Sequence, residues 1–270
     1  MPQKMISVLG CGWLGLTLAR NLISLGYKVK GSTTSIDKIK VLTEAGVIPY
    51  QFSITPPLKA ATKDFFETDI LFLNIPFRRD LESPSFYLEQ AHEVIRKMKG
   101  SPVKTVIFAS STSVYPDDRV LATEDRVINP DDPRSIVLLA AENLLQNKQS
   151  FKTVILRFAG LYGGTRKIGK FPAGKKDIPD GGSPVNLVHL DDCAAVVTAV
   201  IQRNIQNETL NVCSDQHPAR RELYTKAAQA WGLPAPQFAS LPSAKAKIVS
   251  NEKLKKLLGY KFIHPDPMEL

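Results

Sequence analysis

Along this chain, apolar positions gather into short runs of strand length, separated by segments with helical spacing. Residues 6–9 form one such run, and Leu14, Leu18, Leu22 and Leu25 then recur at intervals that place them on one face of a helix. A second strand is predicted at 27–31, then the hydroxyl-rich 32–35 and a helix carrying Lys38 and Lys40. Residues 47–50 make a short third strand. Residues 69–76 are apolar on both faces, as in a strand covered on both sides of a parallel sheet. A helix is predicted over 85–98, a buried strand over 104–109, a helix over 134–146 and a strand over 154–158. Strands alternating with helices at this spacing predict an α/β fold, a doubly wound parallel sheet of Rossmann type.

After Gly164 the texture changes. Residues 165–185 are rich in Gly, Lys and Pro, and strand character resumes at 185–189. Asp191 and Asp192 then start an Ala/Val-rich helix to about residue 202; a short strand at 209–212 and a helix over 219–231 follow. The pattern suggests a dinucleotide-binding part, 1–164, and a C-terminal part, 165–270, that adds further strands and a substrate lobe.

Composition narrows the class. Of the 270 residues, 43% are hydrophobic, enough for a sizeable core, and no apolar run reaches the ~18 residues that cross a membrane. The first strand starts within six residues of Met1, which leaves no room for a signal peptide. Cys11, Cys193 and Cys213 lack metal-ligand spacing and read as reduced thiols, so a cytoplasmic protein is expected. The net charge of +9 is spread along the chain with no nucleic-acid-reading motif, so no nucleic-acid partner is expected. Arg166, Lys167, Lys170, Lys175 and Lys176 form the densest basic cluster. It reads either as a solvated loop or as a rim attracting an anionic ligand.

The candidate chemistry starts where the first strand ends. Gly10, Gly12 and Gly15 stand at G-x-G-x-x-G spacing, with Trp13 and Leu14 between the last two. In a dinucleotide site the first glycine permits the tight turn, the second lets the backbone approach a pyrophosphate, and the third lets the helix pack close to the sheet. The anion then meets N–H groups at the positive end of a helix. The carboxyl end of the strand at Asn74, Ile75 and Pro76 is expected to open on the same crevice. An NAD site usually has an acidic residue at the end of the second strand, and this chain has none there. Ser32, Thr33, Thr34 and Lys38 suit a 2′-phosphate better, which predicts NADP over NAD; the hydroxyls also suit a helix cap.

Four motifs occur in order: the glycine loop, Ser110-Ser111-x-Ser113-Val114-Tyr115, Leu156-Arg157-Phe158-Ala159-Gly160-Leu161-Tyr162-Gly163, and Val185-Asn186-Leu187-Val188-His189-Leu190-Asp191-Asp192. Together they resemble the short-chain dehydrogenase/reductase superfamily, in its extended branch of NAD-dependent epimerases and dehydratases. Asn211-Val212 and Ser250-Asn251-x-Lys253-Leu254 resemble that branch's C-terminal part. The resemblance implies a nicotinamide cofactor touched also by Ser110, Ala159 and Gly160, and a small-molecule substrate. It also implies a homodimer built on the helices at 85–98 and 134–146. The usual glycine loop of that branch is G-x-x-G-x-x-G, so this variant is similar to atypical subgroups.

A second departure concerns the reaction. Ser111 matches the family's serine, but Arg134 stands where its tyrosine belongs and Leu138 where its lysine belongs. A tyrosine with a lowered pKa can exchange a proton; a guanidinium keeps its proton, and leucine can neither tune a pKa nor hold a ribose. Tyr115 and Tyr162 are the remaining proton carriers the family pattern places at the crevice, or they pack there. Arg134 reads as a clamp for an anion or as a solvent-facing residue, and His189 as a structural histidine. The expected function is an NAD(P)-binding oxidoreductase or epimerase/dehydratase-like protein with a small polar, sugar- or phosphate-bearing substrate. The alternative is a catalytically silent dinucleotide sensor.

Overall fold

In a computed structural model, residues 4–58, 63–76, 85–130, 132–168, 170, 172–240 and 246–270 are described. The chain runs β1 (Met5–Leu9), α1 (Trp13–Ser24), β2 (Lys28–Thr33), α2 (Asp37–Glu44), β3 (Ile48–Gln51), β4 (Ile70–Leu73), α3 (Ser85–Met98) and β5 (Thr105–Ser111). It continues with β6 (Asp118–Ala122), α4 (Pro133–Gln146), β7 (Lys152–Phe158), β8 (Gly160–Tyr162), β9 (Leu187–His189), α5 (Leu190–Gln202) and β10 (Glu208–Val212). The last elements are α6 (Arg220–Ala230), β11 (Ala246–Val249) and α7 (Glu252–Leu258).

Seven strands form the central parallel sheet, in the order β10-β7-β5-β4-β1-β2-β3. Parallel registers align Ile6 with Val29 on one side of β1 and with Ile70 on the other. The order reverses direction between β1 and β4, the switch point at which a doubly wound sheet opens a crevice past its carboxyl ends. β4 is apolar throughout and β1 is apolar but for Ser7, whose buried hydroxyl donates to the Phe65 carbonyl at 2.7 Å, as befits strands covered on both faces; Ile6, Val8, Leu71 and Phe72 have no exposed surface. Full burial of each such side chain contributes about 1.5–3 kcal/mol.

The chain divides into two compact units, and the division is not a single cut at residue 164. One unit comprises residues 1–114, 130–157 and 194–209, and the other 115–129, 158–193 and 210–270. A boundary read from composition falls where the texture changes, but crossover helices return late residues to an early sheet, so α5 beyond Cys193 joins the first unit. The second unit contains two small parallel sheets, β6 with β11 and β8 with β9. Its apolar core gathers Tyr162, Ile168, Val185, Leu223 and Ala227. Strands β6, β8 and β11 and helix α7 escaped the hydrophobic pattern: β6 has one buried residue in five, and the others are short.

Candidate functional site

The three loop glycines have different neighbours. Gly10 adopts φ +95°, and a Cβ there would lie 2.2 Å from the Asn74 carbonyl oxygen. A Cβ at Gly15 would lie 2.4 Å from the Gly10 carbonyl oxygen and 3.0 Å from Val8 Cγ1. Both glycines are thus required by the protein itself: one for the turn where β1 and β4 part, the other for the close seat of α1 on β1. At Gly12 a Cβ would meet nothing within 4 Å among the described residues. Gly12 is the N-cap of α1, with no side-chain cap and no acidic residue in the first helical turn. The first helical turn thus brings no carboxylate of its own to the positive end of the helix and the N–H groups after Gly12. The fit to a diphosphate is direct: a bare backbone surface at an uncapped helix start.

Neighbouring strands hold the loop. Gly10 N–H donates to Ser32 Oγ at 2.9 Å, Cys11 N–H to the Ser32 carbonyl at 2.8 Å, and Asn74 Nδ2 to the Gly10 carbonyl at 3.0 Å. Asn74 and Ile75 are half-buried and Pro76 is exposed. The Cys11 thiol is buried, and burial pushes its pKa up to about 12, so it stays a protonated packing group.

At the end of β2, Ser32 and Thr33 are turned inward. Ser32 Oγ positions the loop, and Thr33 Oγ1 accepts from Ser35 N–H at 3.2 Å. Thr34 and Lys38 are exposed. Among the described residues the first acidic side chain after β2 is Asp37, at the start of α2.

At the end of β5, Ser110 is buried and donates to Glu142 Oε1 at 2.5 Å. Glu142, on α4, is gripped by Arg157 of β7: Nη2 reaches Oε2 at 2.6 Å, and Nε lies 3.1 and 3.2 Å from the two oxygens. Both side chains are almost wholly buried. Ser110 therefore anchors the strand end from inside, through a charged pair that sequence reading missed. The signal was there, in a glutamate on the apolar side of a helix and an arginine within a strand. Ser111 is half-buried; its Oγ accepts from Ser113 N–H at 3.1 Å, which leaves its own O–H to donate. Helix α4 begins at Asp132, whose side chain caps Arg134 and Ser135, and Ser135 Oγ donates to the Ser113 carbonyl at 2.8 Å. Arg134 is exposed and Leu138 is buried.

Tyr115, Tyr162, Ala159 and Gly160 belong to the second unit. Tyr115 is 1% exposed and its hydroxyl donates to Asn211 Oδ1 at 2.9 Å, a packed position where the family pattern suggested a crevice-facing one. Asn211 in turn donates to the carbonyls of Ala122 and Ser250, which ties the ends of β6 and β11 to β10. The Tyr162 hydroxyl is buried, and burial pushes its pKa up to about 12. That environment opposes formation of a phenolate. Ala159 N–H donates to the Val212 carbonyl, and Gly160 N–H to that of Asn186. His189, at the end of β9, has Tyr162 edge-on at 5.0 Å and His264 at 3.7 Å between ring centres. Burial, then the neighbouring His264, lowers its pKa.

No described helix is long and apolar enough to cross a membrane. A sequence model of the NAD dependent epimerase/dehydratase family matches residues 6–213. The chain is 35% identical over 270 residues to Protein YeeZ of Escherichia coli strain K12, covering 98% of both proteins. It is similar to the structure of a putative NAD-dependent epimerase/dehydratase from Methylobacillus flagellatus, with TM-score 0.78, 27% identity, and 97% and 94% of the two chains covered. It also shares the fold of UDP-glucuronic acid 4-epimerase from Bacillus cereus in complex with NAD, with TM-score 0.79, 20% identity, and 98% and 96% covered. With the glycine cradle at the switch point of the sheet and a family match that begins in β1 and ends just past β10, this chain belongs to the NAD-dependent epimerase/dehydratase family.

Proposed function

We propose that this protein binds a nicotinamide dinucleotide through residues 10–15 and uses it on a small polar substrate of the nucleotide-sugar class. The observation that carries the binding is Gly12: among the described residues nothing lies within 4 Å of a Cβ there, which supports a bare backbone kept for a ligand. When bound, the cofactor supplies hydride exchange at its nicotinamide ring. Ser111 donates a hydrogen bond to the substrate oxygen next to the reacting carbon, and Ser110 with Glu142 and Arg157 holds the strand end that presents it. The substrate class is supported by the likeness to the Bacillus cereus UDP-glucuronic acid 4-epimerase and to MoeE5 in complex with UDP-glucose and NAD. Preference for NADP rests on the missing carboxylate at the end of β2, with exposed Thr34 and Lys38 there to meet a 2′-phosphate. Calorimetry with NAD and NADP tests it; NAD binding as tightly as NADP would end that preference. Helices α3 and α4 pack together and α4 exposes Ile136, which supports a homodimer across this pair. A purely monomeric species in sedimentation at micromolar concentration would remove it.

A second reading has its own observation. Leu138 is buried in α4 and Arg134 points into solvent, so the positions of the family's lysine and tyrosine carry neither base nor acid. With Tyr115 and Tyr162 both buried, this favours a protein that binds the dinucleotide without turnover. One experiment separates the readings. The protein is incubated with oxidised cofactor and a panel of nucleotide sugars. Reduced-ring absorbance reports net oxidation, and proton NMR of the sugars reports epimerisation, which leaves no net redox change. Turnover abolished by Ser111→Ala supports the enzyme; cofactor binding with no product across the panel supports the silent protein.

A further inference from the structure

We propose that His189, Asp191 and His264 form a binding site for a first-row transition-metal ion, with zinc as the best match. The three side chains come from the end of β9, the first turn of α5 and the C-terminal segment, all within the second unit. Their ligand atoms all lie within 4.8 Å of one another. Asp191 Oδ2 is 3.3 Å from His189 Nδ1 and 3.0 Å from His264 Nε2. Zinc sits about 2.0–2.2 Å from imidazole nitrogen and carboxylate oxygen, so adjacent ligands on one ion are about 3.0–3.5 Å apart. Two edges of the triangle already have that length. The third, between the two imidazoles, is within 4.8 Å, and His264 is the more exposed of the two at 33%.

Both imidazoles are held in place by residues outside the cluster. A Cβ at Gly163 would lie 2.3 Å from His189 Nε2, so the imidazole occupies the space of a side chain, and the Tyr162 ring rests edge-on against it. Asp192, wholly buried, accepts from Ile263 N–H at 2.7 Å and His264 N–H at 3.0 Å, which fixes the backbone that presents His264. It also accepts from the Tyr260 hydroxyl at 2.8 Å. Asp191 N–H donates to His189 Nδ1 at 3.2 Å, a long bond that an ion on that nitrogen replaces. The positive end of α5 opposes a cation with about half a charge. The carboxylates of Asp191 and Asp192 outweigh it. Two nitrogens and one oxygen select zinc, nickel or cobalt over magnesium or calcium, which take oxygen ligands. Partial exposure of Asp191 and His264 leaves the remaining coordination positions to water. Such an ion would fasten the C-terminal segment to the β9–α5 corner.

The test uses the full chain, stripped with chelator and desalted. Zinc is titrated by calorimetry, and cobalt is followed by its visible absorption. The expected result is one ion per chain with micromolar or tighter Kd, weakened at least tenfold by His264→Gln and by Asp191→Asn. His92→Gln, remote in sequence from the cluster, should leave uptake unchanged. Zinc should raise the melting temperature of the wild type and not that of His264→Gln. If His264→Gln does not fold, Asp191→Asn and the wild-type cobalt spectrum decide, with nitrogen and oxygen ligation expected. No zinc uptake by the wild type, undiminished affinity in a folded His264→Gln or Asp191→Asn, or a thiolate-to-cobalt band would overturn the site.

Discussion

Substituting the loop glycines one at a time separates folding from ligand binding. Gly10→Ala forces a side chain into φ +95° and puts its Cβ 2.2 Å from the Asn74 carbonyl oxygen. The backbone term costs about 1–3 kcal/mol and the overlap about 1–3 more, roughly 2–6 kcal/mol together. Gly15→Ala meets the Gly10 carbonyl at 2.4 Å, but alanine regains about 1 kcal/mol of helix propensity, for a net loss of roughly 0–2 kcal/mol. Gly12→Ala meets no atom of the described residues within 4 Å and loses an N-cap preference, about 0.5–1 kcal/mol. Its methyl group nevertheless fills the surface assigned to the diphosphate. Binding should fall at least tenfold, about 1.4 kcal/mol. Urea unfolding gives the stabilities and calorimetry with NADP and NAD the affinities. The reasoning fails if Gly12→Ala destabilises as much as Gly10→Ala, or if it is stable and binds like wild type.

Other expectations follow from the same first unit. Arg157→Met leaves the Glu142 carboxylate buried without its cation and should cost about 3–5 kcal/mol in urea unfolding, whereas Arg157→Met with Glu142→Leu should recover part of that loss. Leu138→Lys, the residue type the resemblance places there, buries an ammonium in α4 and should lower stability in urea unfolding. The Arg96 side chain holds the Glu93 carboxyl below its ordinary range, helped by Leu58 N–H and by Lys97. A depressed carboxylate adds stability above its unfolded pKa and loses it as pH falls through the folded value. Glu93→Gln should therefore be less stable at neutral pH, with a shallower decline into acid; an unchanged slope would contradict that assignment.

The sheet and most of its helices were legible because burial on two faces leaves an unmistakable apolar run. Residues 70–73 and 105–109 show it, and α3 spans the residues its spacing indicated. The glycine loop was legible too, although only the geometry distinguishes Gly12 from its neighbours. What escaped were features made by distant partners. Ser32 looks like a phosphate ligand or a helix cap until Gly10 N–H is seen donating to it. Tyr115 reads from the sequence as a proton carrier or a packing residue, and only the structure shows Asn211, 96 residues away, accepting its hydroxyl. His264 carries no sequence signal, since its meeting with His189 depends on how Asp192 grips the chain 71 and 72 residues on.

The interleaved partition bears on synthesis. Because β10 is an outer strand of the central sheet and ends at Val212, a growing chain cannot finish that sheet until this residue has left the ribosome. Until then β7 offers an unpaired edge, and the fragment 1–164 would keep that edge permanently. Expressed alone, such a fragment should associate or be degraded, whereas cuts at exposed turns between paired elements should be tolerated.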